Sequence, residues 1–216
     1  MPSRWRRLVV LRHGETTHNA EGVWQGQLDS PLSAHGLEQA RAAAPLLAAL
    51  GPARVVSSDL QRASETARAV AEACGLPYAT DARLREIHAG AWQGLTGAQV
   101  AAGYPDDMER LHRGEDFRRG VHGESVADVA ARAGLGAQAF IGRLAAGECG
   151  VLVTHGVSGR CVVAEVTGIP QDLAWRTLTT LGNCHWALLS EAALGWRIDE
   201  WNASAREVGD VPTDLA

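Results

Sequence analysis

Lysine is absent from this chain: all 20 basic residues are arginine. No amine side chain is therefore available for Schiff-base chemistry. Every fixed side-chain cation is instead a planar guanidinium fork, suited to bidentate oxyanions. Cysteine is scarce. Cys74, Cys149, Cys161 and Cys184 lie far apart, with no CxxC pair, which argues against a disulfide framework or a thiol-ligated metal. Long apolar runs are missing, so no segment approaches membrane-spanning length. The apolar run Leu8–Leu11 after the basic start is too short for a signal peptide, and the cytoplasm is the expected location. An excess of positive charge is also missing. The net charge of −5 implies no general affinity for nucleic acid.

What is present suits a globular protein. Hydrophobic residues make up 46% and charged residues 21% of 216 positions, enough for one cored domain with an elaborated insertion. Leu8–Leu11, Arg54–Ser57 and Gly150–Val153 read as buried strands, each followed by a helical pattern. Ser58 and Gln61 have capping-box spacing for the helix that ends near Gly75. The stretch from Gly156 to Gly168 reads as another helix. Leu37 to Leu47 forms a helix with Pro45 expected to kink it. Ser125 and Asp128 can cap a helix whose apolar face runs from Val126 to Leu144. Gly134 and Gly136 should weaken that helix by roughly 1 kcal/mol each.

Cys184–Leu189 and Trp196–Trp201 read as two further strands. Alternating strands and helices predict an α/β three-layer sandwich, with a mostly parallel central sheet flanked by helices. Residues 1–205 form one domain in this reading. The polar segment of about 101–123 is an insertion over the sheet edge, and 206–216 are a loose tail. The strand Trp196–Trp201 offers an edge at which a homodimer can pair.

In open α/β sheets ligands collect at the carboxyl ends of the strands. Here those ends run into Arg12-His13-Gly14-Glu15, Ser57-Ser58-Asp59-Leu60-Gln61-Arg62 and Thr154-His155-Gly156. Two arginines and two imidazoles should meet there and make a site for a dianion such as phosphate. Helix N-termini near Arg62 and His155 would favour the same charge, and Gly14 and Gly156 would let the backbone come close. A neutral imidazole beside a bound phosphoryl group can attack it, and nearby arginines favour that neutral form. A carboxylic acid in an apolar pocket would supply the leaving-group proton; Glu86 is the candidate. On residue types alone, Glu15, Glu65 and Glu124 compete with it, and Glu124 also suits a helix cap.

Leu11-Arg12-His13-Gly14-Glu15-Thr16 resembles the signature of the histidine phosphatase, or phosphoglycerate-mutase-like, superfamily. The resemblance spans nearly the whole chain. It continues through Asn19, Gly26–Ser33, Ser57–Ala63, Thr66-Ala67, Leu84-Arg85-Glu86, Gly90-Ala91-Trp92-Gln93-Gly94, Gly123-Glu124-Ser125 and Val153–Gly156. It implies His13 as the phosphorylated nucleophile and Glu86 as the proton donor. Arg12, Arg62 and His155 would hold the phosphoryl group, with Gly156 beside them and Asn19 and Gln25 at the phosphate or substrate. No metal or other cofactor is implied, and the partner is a small phosphate ester.

The Trp92-Gln93-Gly94 form resembles the phosphatase branch rather than cofactor-dependent mutases, which carry Glu-Arg-His-Tyr-Gly after the acid. A narrower likeness runs through Val23–Asp29, Ala91–Thr96 and Trp201–Ala205, to phosphatases of a glucosylated phosphoglycerate. Arg110, Arg113, Arg118 and Arg119 charge the insertion positively and suit a substrate carboxylate or second phosphate. Two other classes compete. A metal site is opposed by the lack of an HExxH or Cys/His cluster. A phospholigand-binding module would keep the arginines without needing His13 or Glu86. For His18, His35, His88, His112, His122 and His185 a structural or surface role is the default.

Overall fold

The computed structural model describes residues Trp5–Ala205. The tail expected after Ala205 lies outside the described residues. Six strands form one sheet in the order β3-β2-β4-β1-β5-β6. Strands β1 (Arg7–Arg12), β2 (Pro52–Ser57), β3 (Tyr78–Thr80) and β4 (Cys149–Thr154) run parallel. Strand β5 (Trp186–Ala192) pairs antiparallel with β1 and forms an antiparallel hairpin with β6 (Gly195–Ala203). The sheet is thus mixed but mostly parallel, and β6 lies at one edge.

Both faces are covered, which explains why β1 and β4 are continuous apolar runs rather than alternating ones. Leu8, Val10 and Leu152 point to one face and pack beneath α6 (Val126–Ile141) and α7 (Gly156–Thr167). Val9, Leu11, Val151 and Val153 point to the other, under α2 (Ala34–Ala48) and α3 (Gln61–Cys74). The period-two alternation of side chains divides one strand between two cores. The short helices α1 (Thr17–Ala20) and α8 (Gln171–Thr177), with β3, escaped the sequence pattern because each is only a turn or two long.

Several local expectations change. Ser58 does not cap α3: the N-cap is Leu60, and Asp29 reaches across to accept the Gln61 N–H at 2.7 Å. Helix α2 carries Pro45 in its last turn and continues to Ala48, where a missing N–H costs one bond at most. Ser125 and Asp128 do form the capping box of α6. Its glycines serve close packing. A Cβ on Gly134 would stand 3.0 Å from Glu165 Cγ on α7, and one on Gly136 would stand 3.1 Å from Leu84 Cδ2.

The segment of about 101–123 is more ordered than its composition suggested. It takes in the end of α4 (Gly97–Gly103) and all of α5 (Pro105–His112). Rather than lying over the sheet edge, it packs on the turn that follows Glu86. Phe117 joins Ala89, Trp92 and Val100 in a third small core. Three glycines make that docking possible: a Cβ on Gly90, Gly120 or Gly123 would come within 2.6 Å of backbone atoms across the contact.

Candidate active site

The first parallel strand delivers Arg12 and His13. His13 leaves the sheet by donating its backbone N–H to the Thr154 carbonyl, 3.0 Å away, which ties it to the end of the neighbouring strand. Its Nδ1 lies 2.7 Å from the Gly14 carbonyl. A carbonyl only accepts, so Nδ1 carries the hydrogen and Nε2 keeps its lone pair. The ring is 3% exposed, and burial, with the Arg62 and Arg12 charges behind it, holds its pKa well below the usual 6.5. Gly14 is needed for packing rather than ligand approach. A Cβ there would sit 2.5 Å from the Gly36 carbonyl oxygen, at the start of α2.

His155 is the N-cap of α7 and fully buried. Its ring meets that of His13 edge-on, centroids 5.0 Å apart. Nε2 lies 2.8 Å from Ser58 Oγ, while Nδ1 has no protein partner. Burial and the Arg62 charge push its pKa well down as well. Ser58 is thus the residue that sequence reasoning misassigned: it orients an imidazole instead of starting a helix. The hydroxyl lies two residues before the helical pattern, and nothing local distinguishes the two uses.

Arg62 lies within the first turn of α3 and is 1% exposed. It donates to the carbonyls of Leu28 (2.8 Å) and Gly26 (2.7 Å), so no carboxylate bonds it directly. Burial lowers its pKa to about 10, against the raising influence of Glu86. Arg12 donates to the Leu181 carbonyl at 2.6 Å. The Nε atoms of both arginines are buried without partners, as is His155 Nδ1. Three of the buried polar atoms without a partner therefore belong to the residues gathered around His13. Buried donors are normally satisfied, so these three unpartnered atoms set the surroundings of His13 apart.

Glu86 stands across from Arg12. A Cβ built on Gly156 would lie 3.7 Å from Glu86 Oε2 and 3.8 Å from Arg12 Cζ, so both groups border that position. The pocket around the carboxyl is polar, not apolar as expected. Oε1 accepts from the N–H of Ile87 (2.9 Å) and the N–H of Ser158 (3.1 Å), with Ser158 Oγ 3.2 Å away but donating its hydrogen to the Arg85 carbonyl at 2.6 Å. Oε2 accepts only the Val157 N–H, at 3.2 Å. The start of α7 therefore spends its free N–H groups on Glu86, and α3 spends one on Asp29. Neither helix offers those donors to an external phosphate in the way the sequence suggested.

The other expected site residues are nearby but partly engaged. Asn19 Oδ1 accepts from Thr16 N–H (3.1 Å), Thr16 Oγ1 (3.0 Å) and Asn183 Nδ2 (3.3 Å). Asn183 also donates to the His13 carbonyl at 3.1 Å, a contact with no sequence signal. Gln25 is buried and accepts from Ser30 Oγ at 2.7 Å, which leaves its amide nitrogen unused. Among the described residues, no three His, Cys, Asp or Glu side chains gather as a metal site.

The model of the histidine phosphatase superfamily (branch 1) matches residues 8–204. The chain belongs to the histidine phosphatase superfamily. A glucosyl-3-phosphoglycerate phosphatase of Mycolicibacterium vanbaalenii is 42% identical over 96% of this chain and 99% of the relative. A protein named probable phosphoglycerate mutase GpmB, from an Enterobacter species, is 35% identical over 90% of this chain and 89% of its own length. Among solved structures, a mycobacterial glucosyl-3-phosphoglycerate phosphatase in complex with VO3 superimposes with a TM-score of 0.83. It is 44% identical, covering 92% of this chain and all of that one.

Superfamily membership leaves the insertion's arginines to be placed, and the structure gives each an internal partner. Arg110 pairs with Glu115 at 3.1 Å and lies over the Phe117 ring. Arg113 pairs with Glu109 (2.7 Å) and Glu115 (2.8 Å), and Arg118 with Asp128 (3.3 Å). Arg119 is 2% exposed, stacked on Phe117. The expectation of a second anion site on this segment loses its main support. Glu124 does not cap α6 either; it is bound to Arg132.

Proposed function

We propose that this superfamily member hydrolyses small phosphate monoesters through a phosphohistidine formed on His13. The observation that carries the reading is the unpartnered set Arg12 Nε, Arg62 Nε and His155 Nδ1 around a neutral, buried imidazole. Arg12, Arg62 and His155 hold the phosphoryl oxygens, and Ser58 O–H donates to His155 Nε2, so that Nδ1 carries the hydrogen that faces phosphate. His13 Nε2 attacks phosphorus in line as the ester P–O bond breaks. The departing alkoxide takes a proton from Glu86. Oε2 is the oxygen that carries it, because Oε1 already accepts two N–H groups and Oε2 only one. Water then attacks the phosphohistidine, its proton returns to Glu86, and the N–P bond breaks to release phosphate. Asn19 and Gln25, through their amide nitrogens, and the open edge at Gly156 shape the space for the phosphate and the rest of the ester.

The similar phosphatases are named for glucosyl-3-phosphoglycerate, and that ester is the substrate we expect first. No metal or other cofactor enters the scheme. The mutase reading is less favoured, because the arginines of the insertion are engaged internally. The edge strand β6 is the place where a second copy of the chain would add. The chemistry is tested by phosphate release with EDTA present, from para-nitrophenyl phosphate, 3-phosphoglycerate and glucosyl-3-phosphoglycerate, each with and without 2,3-bisphosphoglycerate. Release that disappears in His13→Ala is expected. Bisphosphate-dependent conversion of 3- to 2-phosphoglycerate without release would replace the phosphatase by a mutase. Ligand binding with no turnover would leave only a binding module.

A further inference from the structure

Glu86 lies in an irregular stretch between a short 3-10 turn ending at Leu84 and another beginning at Gly90, so no helix or strand ladder holds its backbone. Side chains hold it instead: Gln27 donates to the Glu86 carbonyl (3.1 Å) and Ser158 to that of Arg85 (2.6 Å), but Arg132 of α6 makes the most contacts. Arg132 donates from Nη1 to the carbonyls of Arg83 (2.8 Å) and Arg85 (2.6 Å), and from Nη2 to the carbonyl of Glu86 itself (2.9 Å). The same guanidinium forks onto Glu124 through Nε (2.7 Å) and Nη2 (2.8 Å). All five of its N–H donors are thereby used. Glu124 Oε2 in turn accepts the backbone N–H of His88 at 2.8 Å. The two side chains are only 21% and 22% exposed. They grip the main chain on both sides of Glu86, and neither belongs to the set around His13.

We infer that the Arg132–Glu124 pair positions Glu86 for proton transfer, fixing where Oε2 stands relative to the leaving oxygen. Arg132 is a positioning residue in this account; it acts only through Glu86. The inference rests on the reading of Glu86 as the proton donor. Its consequence follows from chemistry. An alkoxide leaving group needs the proton, whereas para-nitrophenolate leaves with little help. Disturbing the donor therefore harms alkyl esters more than aryl esters, while a general loosening of the fold harms both alike.

The test compares kcat/KM for para-nitrophenyl phosphate with that for 3-phosphoglycerate, in Arg132→Met, Glu124→Gln and Glu86→Gln, with Tm measured alongside. The ratio kcat/KM reports the first chemical step and excludes the later hydrolysis of the phosphoenzyme. Glu86→Gln is expected to lose more on the alkyl ester than on the aryl ester. Arg132→Met should follow with a differential loss of about 10-fold or more, since small misplacements of a reacting group cost up to about 100-fold. If Arg132→Met does not fold, Arg132→Lys serves instead. It keeps the charge but not the fork, and its differential loss should be smaller yet present. Equal losses on the two esters in the Arg132 variants, with Glu86→Gln still discriminating, would overturn the positioning role and leave the donor assignment intact. No discrimination in Glu86→Gln would overturn the donor assignment and the positioning role with it.

Discussion

The arginines of the phosphoryl site and those of the inserted segment are the same residue in opposite circumstances. Arg62 is 1% exposed and donates to two carbonyls, with no carboxylate bonded to it. Arg113, half exposed, is shared between Glu109 and Glu115. A buried guanidinium without a counter-charge is costly to keep. That cost is offset when a dianion binds, and Arg62 stands beside His13, where the dianion would sit. In the insertion Arg110, Arg113 and Arg118 are answered by carboxylates and screened by solvent, while Arg119 is buried against Phe117.

The sharpest test of this contrast is Arg62→Ala, expected to lower kcat/KM by about 100-fold to 1,000-fold, as loss of one oriented charge at a reacting centre does. Steady-state rates within a few-fold of the parent enzyme would break the contrast. Next is acid stability. His13 and His155 have depressed folded pKa values, so below their unfolded value of 6.5 the unfolded chain binds more protons than the folded one. Stability should therefore fall as pH drops below about 6.5, by up to about 1.4 kcal/mol per pH unit for each imidazole.

The insertion's carboxylates behave in a different window. Glu115, and Asp128 of α6 that pairs with the insertion's Arg118, have folded pKa values below the ordinary 4.5 and 3.8, so the stability they contribute is present above those values. It is lost only as pH falls further, through the folded pKa. A Tm that stays level between pH 7 and pH 5 would contradict the assignment of two buried neutral imidazoles. The smallest effect is expected for Arg113→Ala: activity within about two-fold and stability within about 0.5 kcal/mol, read by thermal melts. A large loss of turnover there would place the insertion in the substrate site after all.

Much of the fold was legible because the strands of a doubly covered sheet announce themselves. Leu8–Leu11 and Gly150–Val153 are apolar at every step or nearly so, and only a strand buried on both faces needs that. The site was legible for a related reason: strand ends converge, so Arg12, His13, Thr154 and His155 had to meet once β1 and β4 paired in parallel. The environment of Glu86 was not legible. Its three N–H donors come from Ile87, Val157 and Ser158, and the last two approach only because α7 begins against that loop. Ser58 was misread for a similar reason, since a hydroxyl beside a helix start serves a cap or a distant ring equally well. The inserted segment looked irregular because its apolar residues are few, and its order comes from glycine-to-backbone contact and one small aromatic cluster.

The sequence by itself determined five of the six strands of the central sheet, the placement of two imidazoles and two arginines at one edge of it, and the family. It did so because strand periodicity and strand-end chemistry are local properties that survive without knowledge of neighbours. Tertiary structure alone decided which arginines keep their charge unpaired, which oxygen of Glu86 stays open, and that Arg132 and Glu124 hold the loop between them. Those outcomes depend on which backbone carbonyls and N–H groups come within 3 Å across the fold, and hydrogen bonding at that range is set by packing between segments distant in sequence.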